Sequence, residues 1–320
     1  MLMSSVLVLV GLVLLVGGAE YLVRGAVAIA GKLKVPTLMI GLTIVAFGTT
    51  IPEFTVSIQS ALHGNEGISL GNIIGSNIAN ILLVLAISAL IYPISYKAKM
   101  FYRDFSFLSI TTLLFAFFCA RGELVRWNGW VMLLFLFWFV FFSLYNSRHD
   151  PRSGDKIPKK FVGKSWANIL LVTVGGFVAV AYGTDFLVDG AVEIAKFMGV
   201  SEAVIGVTIV AVGTSLPELA TACVAAYRHQ NGIALGNVMG SNILNVLFIM
   251  GTTVAMTNVE VASQFIFLDI WVMLFATFML LPIMMFKHKI TRMEAFFMLC
   301  CYGLYLYALT LISLGDWIVS

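Results

Sequence analysis

Apolar residues run through this chain in stretches of 20 or so, separated by short polar segments that collect Gly, Pro, Lys and Arg. A bilayer core about 30 Å thick needs about 20 predominantly apolar residues in a helix. On that rule the pattern predicts ten spans, at 4 to 29, 37 to 62, 68 to 94, 104 to 120, 128 to 145, 167 to 195, 203 to 227, 233 to 257, 265 to 286 and 294 to 315. The one long polar connection, 146 to 165, holds Pro151, Gly154, Pro158 and six basic residues. It divides the chain into a first five-helix unit, 1 to 145, a linker, and a second unit, 166 to 320. The stretch from Leu2 to Val23 lacks a basic n-region and a small-residue cleavage site, so it reads as a retained first span rather than a signal peptide.

Composition turns the pattern into a class. Only 11% of the residues are charged, against about a quarter in soluble globular chains. With 60% hydrophobic residues, 19 Lys+Arg and 16 Asp+Glu cannot coat a soluble core of 320 residues. The expectation is an all-α polytopic membrane protein whose partner is the lipid bilayer. A net charge of +3, with basic residues in short clusters, excludes a nucleic-acid interface. Cys119, Cys223, Cys300 and Cys301 have no CxxC spacing, and the four histidines lack partners at metal-ligand spacing. Neither a zinc site nor a disulfide framework is indicated.

The distribution of the basic residues orients the spans. Ten spans place sixteen of the 19 on one side of the membrane and only Arg121, Arg126 and Lys196 on the other. Cytoplasmic loops are enriched in Lys and Arg. The central loop is therefore expected in the cytoplasm, with both termini outside and the protein multi-pass in the cell membrane.

A shift of 165 residues aligns Gly41 to Leu85 with Gly206 to Met250 without a gap, and 21 of the 45 positions are identical. The halves are homologous. Because five spans is an odd number, equivalent segments enter the membrane from opposite sides, which is the inverted-repeat plan many transporters use to put substrate at the midplane. Broken helices 2 and 7 are expected at its centre.

Two motifs recur within the repeat. Ala46-Phe-Gly48-Thr49-Thr50-Ile-Pro52-Glu53 is answered by Ala211-Val-Gly213-Thr214-Ser215-Leu-Pro217-Glu218. A carboxylate in mid-span costs about 2.5–3.5 kcal/mol or more unless it has a partner or a water-filled cavity, so two at matched positions suggest a site. Proline lacks an N–H and crowds the carbonyl four residues back. Pro52 and Pro217 are therefore expected to disrupt the ladder at Gly48 and Gly213, freeing carbonyls near Ala46 and Ala211. Thr49 with Glu53, and Thr214 with Glu218, are four residues apart and share a helical face.

The second motif, Gly71-Asn72-Ile-Ile-Gly75-Ser76-Asn77-Ile-Ala-Asn80, is answered by Gly236-Asn237-Val-Met-Gly240-Ser241-Asn242-Ile-Leu-Asn245. Its glycine spacing permits close helix approach. Ser76 with Asn80, and Ser241 with Asn245, project further oxygens. Every candidate ligand is a hard oxygen donor: Ca²⁺ takes 6–8 oxygens at about 2.3–2.6 Å, while Zn²⁺ and Cu⁺ favour the absent thiols and imidazoles. Na⁺ suits the same donors. A single Gly-Thr-x-x-Pro-Glu could instead be a helix N-terminus, with Thr as cap and Glu at the dipole, and the second motif could serve packing alone. Glu20 with Arg24, and the stripe Asp185, Asp189 and Glu193, are expected in structural or ion-entry roles, and Asp269 at the interface.

With both motifs in view, the chain resembles the cation/Ca²⁺ exchanger superfamily, in particular its prokaryotic-type sodium/calcium exchangers. The signatures GT[ST]xPE and GSNxxN occur twice, and the likeness spans essentially the whole chain. It implies that Glu53 and Glu218 are central Ca²⁺ ligands shared with Na⁺, and that Thr49 and Thr214 join them. Thr50, Ser215, Ser76, Ser241, Asn80, Asn245 and the carbonyls of Ala46 and Ala211 would complete Na⁺ and Ca²⁺ positions. Proton-coupled members carry GNxxEH where this chain has GTTIPE and GTSLPE. Asn245 stands where potassium-dependent members have Asp, leaving the site at −2 and implying K⁺-independent transport. The resemblance therefore implies a secondary active Na⁺/Ca²⁺ antiporter working by alternating access, with no enzymatic activity and no cofactor, sufficient as a monomer. An H⁺-coupled Ca²⁺ antiporter and a cation channel remain alternatives.

Overall fold

The structure is a computed structural model that describes residues 2–96, 98–149, 165–198 and 211–319. Within these the chain is helical almost throughout. The long helices are α1 (Met3–Leu33), the bent pair α2 (Thr37–Thr49) and α3 (Ile51–Leu62), α4 (Glu66–Ile91), α5 (Phe101–Cys119), α6 (Arg126–Tyr145), α7 (Trp166–Phe197), α8 (Leu216–Tyr227), α9 (Asn231–Met256), α10 (Phe265–Phe286) and α11 (Arg292–Ile312). Among the described residues eight helices are long and apolar enough to cross a membrane, or nine if α2 and α3, bent by 48°, count as one. The span expected at 203 to 227 is represented by the turn Ala211–Gly213 and by α8; its start at 203 to 210 lies outside the described residues, as do linker residues 150 to 164.

Burial sorts these helices into a centre and a rim. The apolar window of α9 is 94% buried and that of α4 78%, against 33% for α1 and for α7 and 11% for α11. The rim helices turn Leu9, Val13, Phe137, Trp271 and Phe296 outward. Apolar faces of that size suit lipid rather than water, and the chain is a multi-pass membrane protein.

The repeat seen in the sequence recurs in local geometry. α4 and α9 each carry a π-helical turn, Asn80–Leu85 and Asn245–Met250, displaced by the same 165 residues. Such turns insert one extra residue and re-aim the side chains that follow. Two short antiparallel ladders then tie the halves crosswise. β1 (Ile94–Ser95) pairs with β4 (Lys289–Ile290), and β2 (Glu123–Leu124) pairs with β3 (Val259–Glu260). Around β1 and β4, Arg292 donates to the Leu90 carbonyl at 2.9 Å and Asn231 to Ser95 Oγ at 3.2 Å. Around β2 and β3, Asn258 donates to Glu123 at 2.9 Å.

α1 and α7 form a tight pair of their own. A Cβ placed on Gly18 would lie 2.7 Å from the Val180 backbone nitrogen, and one on Gly176 2.6 Å from that of Leu22. Only glycine allows this approach. The Gly18→Val variant is expected to lose about 1–3 kcal/mol through overpacking, measured as a lower unfolding midpoint in detergent; an unchanged midpoint would contradict the seam. A charged link also joins α1 to the end of α8: Glu20 accepts from Arg24 Nε at 2.6 Å and from Arg228 Nε at 2.9 Å. The Glu20–Arg24 pair expected from sequence is thus present and gains a third member 208 residues away. From the stripe on α7, Glu193 accepts from Ser4 Oγ at 2.7 Å.

Asp269 departs from expectation. It is 2% exposed, closes the π-helical turn Phe265–Asp269 and accepts from the Tyr305 hydroxyl at 2.8 Å. It lies near the start of α10, as expected, but is packed inside the protein against a phenol rather than open to water. Sequence spacing could not reveal Tyr305, which belongs to a different helix.

Candidate functional site

The two GT[ST]xPE motifs adopt the same break. Thr50 (φ −85°, ψ 5°) and Ser215 (φ −89°, ψ 3°) leave helical geometry, and α3 and α8 begin immediately after them. Pro52 and Pro217 fall in those first turns, where a missing N–H costs nothing. Glu53 and Glu218 fall there too, where the positive end of the helix dipole favours a carboxylate. Each motif thus starts a helix, as the capping reading expects, and in the first half that start lies within an apolar pair bent by 48°.

One expected detail changes. Gly48 does not unwind the chain. Residues Ala46–Thr49 stay helical, and the Ala46 carbonyl accepts from the Thr50 N–H at 3.0 Å and from the Thr50 and Thr49 hydroxyls at 2.9 and 3.2 Å. The gap that Pro52 leaves falls two residues further on, at the Gly48 carbonyl, and the threonine hydroxyls add to a ladder bond that the Thr50 N–H already makes. Gly48 and Gly213 instead make room for α7: the Phe177 ring lies where a Cβ of Gly48 would be, and Val188 Cγ2 would be 2.7 Å from a Cβ of Gly213. Ala211 opens the described turn Ala211–Gly213.

Most of the sequence-predicted residues are buried, and several of them touch one another. Thr49, Thr50, Glu53, Ser76, Asn80, Ser215, Glu218, Ser241 and Asn245 are each at most 4% exposed. Glu218 accepts from Ser241 Oγ at 3.4 Å and from Thr49. Thr49 Oγ1 also lies 3.2 Å from Asn237 Oδ1, so its single proton has three acceptors in reach. Thr214 is half-buried, unlike its counterpart Thr49. The carboxylates of Glu53 and Glu218 interact electrostatically.

The second motif contributes residues whose roles the spacing left open. Asn72 Nδ2 donates to the Glu53 carbonyl at 3.2 Å, and Asn237 Nδ2 to the Glu218 carbonyl at 3.4 Å. Each asparagine thus ties its half's glutamate backbone to the neighbouring helix. Asn72 also reaches Ser57 Oγ at 2.9 Å, a bond without a counterpart, because Ala222 stands at the equivalent position. Asn77 and Asn242 cross between the halves and bond Asn245 and Asn80, respectively, at 3.0 Å.

Among the described residues thirteen buried side-chain oxygens lack a hydrogen-bond partner, and five of them belong to sequence-predicted ligands: Glu53 Oε2, Glu218 Oε2, Asn80 Oδ1, Asn245 Oδ1 and Ser215 Oγ. Burying such groups unmatched costs about 1–3 kcal/mol each, more for a charged group. Four of the five can only accept when the carboxylates are ionised. Acceptors gathered without donors are suited to a cation.

Comparison with known proteins follows the same lines. The family described as "Sodium/calcium exchanger protein" matches residues 3–145 and 168–311. The sodium/calcium exchanger MaX1 of Methanosarcina acetivorans is 31% identical over 343 residues, covering 96% of this chain and 98% of its own. The inner membrane protein YrbG of Escherichia coli is 31% identical over 274 residues, 82% of each chain. Among solved structures, the sodium-calcium exchanger NCX_Mj soaked with 2.5 mM Na⁺ and 0.1 mM Ca²⁺ superposes with a TM-score of 0.82 at 30% identity, covering 96% of this chain and 97% of that one.

Proposed function

The chain belongs to the sodium/calcium exchanger family, and from that premise we propose that it is a secondary active Na⁺/Ca²⁺ antiporter of the cell membrane. Membership makes it a transporter of the cation/Ca²⁺ antiport type. The finer reading is that Ca²⁺ and Na⁺ compete for one midplane cage between two inverted five-helix repeats, with ten spans in all. The supporting observation is the set of five buried, unpartnered oxygens on Glu53, Glu218, Asn80, Asn245 and Ser215. Thr49, Thr214, Thr50, Ser76, Ser241 and the Ala211 carbonyl would supply the remaining donors, and the Ala46 carbonyl would join them once the Thr49 and Thr50 hydroxyls turn from it to the ion. Two ionised glutamates neutralise one Ca²⁺, and Na⁺ ions in the same cage can do so in its place. An empty cage keeps its charge in a medium of low dielectric, which opposes movement of α1 and α7 past it and enforces exchange. The excess of Lys and Arg at one end supports a cytoplasmic central loop and outward termini.

Coupling to Na⁺ is tested by ⁴⁵Ca²⁺ uptake into proteoliposomes under separately imposed gradients. Uptake is expected with Na⁺ inside and none outside, and not with K⁺ replacing Na⁺. Uptake driven by a pH gradient without Na⁺ would establish the H⁺-coupled alternative, and Ca²⁺ flux with no counter-ion gradient a channel. Protons occupy the same carboxylate oxygens as Ca²⁺, so Na⁺-driven flux is expected to fall steadily as pH is lowered. A flat pH profile would contradict two titratable glutamates in the transport site.

A further inference from the structure

Asn77 and Asn242 bond the candidate ligands Asn245 and Asn80, and their bonding pattern is reciprocal across the two halves. Asn77 Nδ2 donates to the main-chain carbonyl of Asn242 at 3.4 Å, while Asn242 Nδ2 donates to the main-chain carbonyl of Asn77 at 3.0 Å. The other end of each amide accepts. Asn77 Oδ1 receives Asn245 Nδ2, and Asn242 Oδ1 receives Asn80 Nδ2, both at 3.0 Å. Asn77 and Asn242 are 2% and 1% exposed, so water does not compete for these bonds.

This order of donors and acceptors has one physical consequence. A main-chain carbonyl can only accept, so the amide facing it must present its NH₂. Turning Asn77 around would set its Oδ1 against the Asn242 carbonyl and its NH₂ against the NH₂ of Asn245, leaving two mismatched contacts in a buried site. With Asn77 anchored, Asn245 must present NH₂ to Asn77 and is left with Oδ1 free. The same logic runs from Asn242 to Asn80. Asn80 Oδ1 and Asn245 Oδ1 are two of the five unpartnered oxygens.

We propose that Asn77 and Asn242 are positioning residues: anchored on each other's main-chain carbonyls, they hold the amides of Asn245 and Asn80 with oxygen, not nitrogen, toward the cation. An asparagine beside a cation is useful only in one of its two orientations, since the reversed amide brings N–H dipoles against positive charge. The crossed pair removes that ambiguity on both sides at once. It also binds the middles of α4 and α9 together, so the two amide oxygens are fixed relative to each other. A carboxylate at 245 or 80 needs no such anchoring, because it presents oxygen whichever way it turns. This inference rests on the reading of the cage as the Ca²⁺ site.

The test is a double-mutant cycle on ⁴⁵Ca²⁺ binding by the purified full-length protein in detergent, comparing wild type, Asn77→Ala, Asn245→Asp and the double variant. Asn77→Ala is expected to weaken Ca²⁺ binding by about tenfold, the worth of one well-placed buried hydrogen bond. In the Asn245→Asp background the same change is expected to have no adverse effect. An equal loss in both backgrounds would mean that Asn77 serves only packing and would overturn the proposal, as would unchanged binding by Asn77→Ala. If Asn77→Ala does not stay monodisperse, the mirror set Asn242→Ala with Asn80→Asp gives the same readout. Absence of Ca²⁺ binding by the wild type would overturn the cage itself and this proposal with it. Wild-type binding with equal losses would overturn the positioning role alone.

Discussion

Glu53→Gln and Glu218→Gln each reduce Na⁺-driven Ca²⁺ uptake by about 100-fold or more, because Ca²⁺ affinity is set over several decades by the number of charged oxygen ligands and the rigidity of the site. Glutamine keeps the volume of glutamate and one of its oxygens, so the packing of α3 and α8 is retained while the site drops from −2 to −1. Both glutamates are at most 1% exposed, and each leaves one carboxylate oxygen without a partner. The loss is therefore one of charge and ligation rather than of fold. The measurement is initial ⁴⁵Ca²⁺ uptake into Na⁺-loaded proteoliposomes, normalised to reconstituted protein. Near-normal uptake by either variant would remove that glutamate from the transport site. The two losses are also expected to be similar, since the glutamates occupy equivalent helix starts after matched breaks at Thr50 and Ser215.

Addition of Ca²⁺ raises the unfolding midpoint of the wild type, and removal by a chelator reverses it. A ligand that binds only the folded state stabilises it by about 2.7 kcal/mol at one hundred times its Kd. The effect is expected to be large here because binding also relieves buried acceptors that otherwise lack partners. Na⁺ is expected to stabilise as well, and at saturating Na⁺ the increment from Ca²⁺ shrinks, since one cage cannot fully hold both. The measurement is thermal unfolding in detergent at fixed ionic strength, with choline replacing Na⁺. Equal Ca²⁺ stabilisation of wild type, Glu53→Gln and Glu218→Gln would place the stabilising ion elsewhere.

The sequence was most informative where one chemical oddity occurred twice. A carboxylate following Gly-Thr-x-x-Pro inside an apolar run is costly, and its recurrence 165 residues later at Glu218 marks the pair as the candidate site. The same spacing brings Ser76, Asn80, Ser241 and Asn245 into view, and all four are buried. Less legible were contacts made between helices distant in the chain. Asn77 could be packing or chemistry on spacing alone, since its partners are Asn242 and Asn245 in the other half. The Glu20–Arg228 link and the Asp269–Tyr305 bond were hidden for the same reason.

The break itself was misjudged in detail for a local reason. Proline removes the ladder bond to the Gly48 carbonyl, while the Ala46 carbonyl keeps its bond from the Thr50 N–H and gains both neighbouring threonine hydroxyls. Glycine at 48 and 213 then serves the approach of α7 rather than unwinding. Side-chain hydroxyls that compete for main-chain acceptors are a weak sequence signal, because the same residues also cap helices and ligate ions.

The position of the ion is the centre of the account, and anomalous diffraction from crystals grown in Ca²⁺, recorded at a long wavelength, measures it most directly. The predicted result is a single strong peak between Glu53 and Glu218, with carboxylate, amide and hydroxyl oxygens at about 2.3–2.6 Å, and its loss when Na⁺ is in large excess. A peak elsewhere with none between the two glutamates, or a peak there that Na⁺ does not displace, would contradict it.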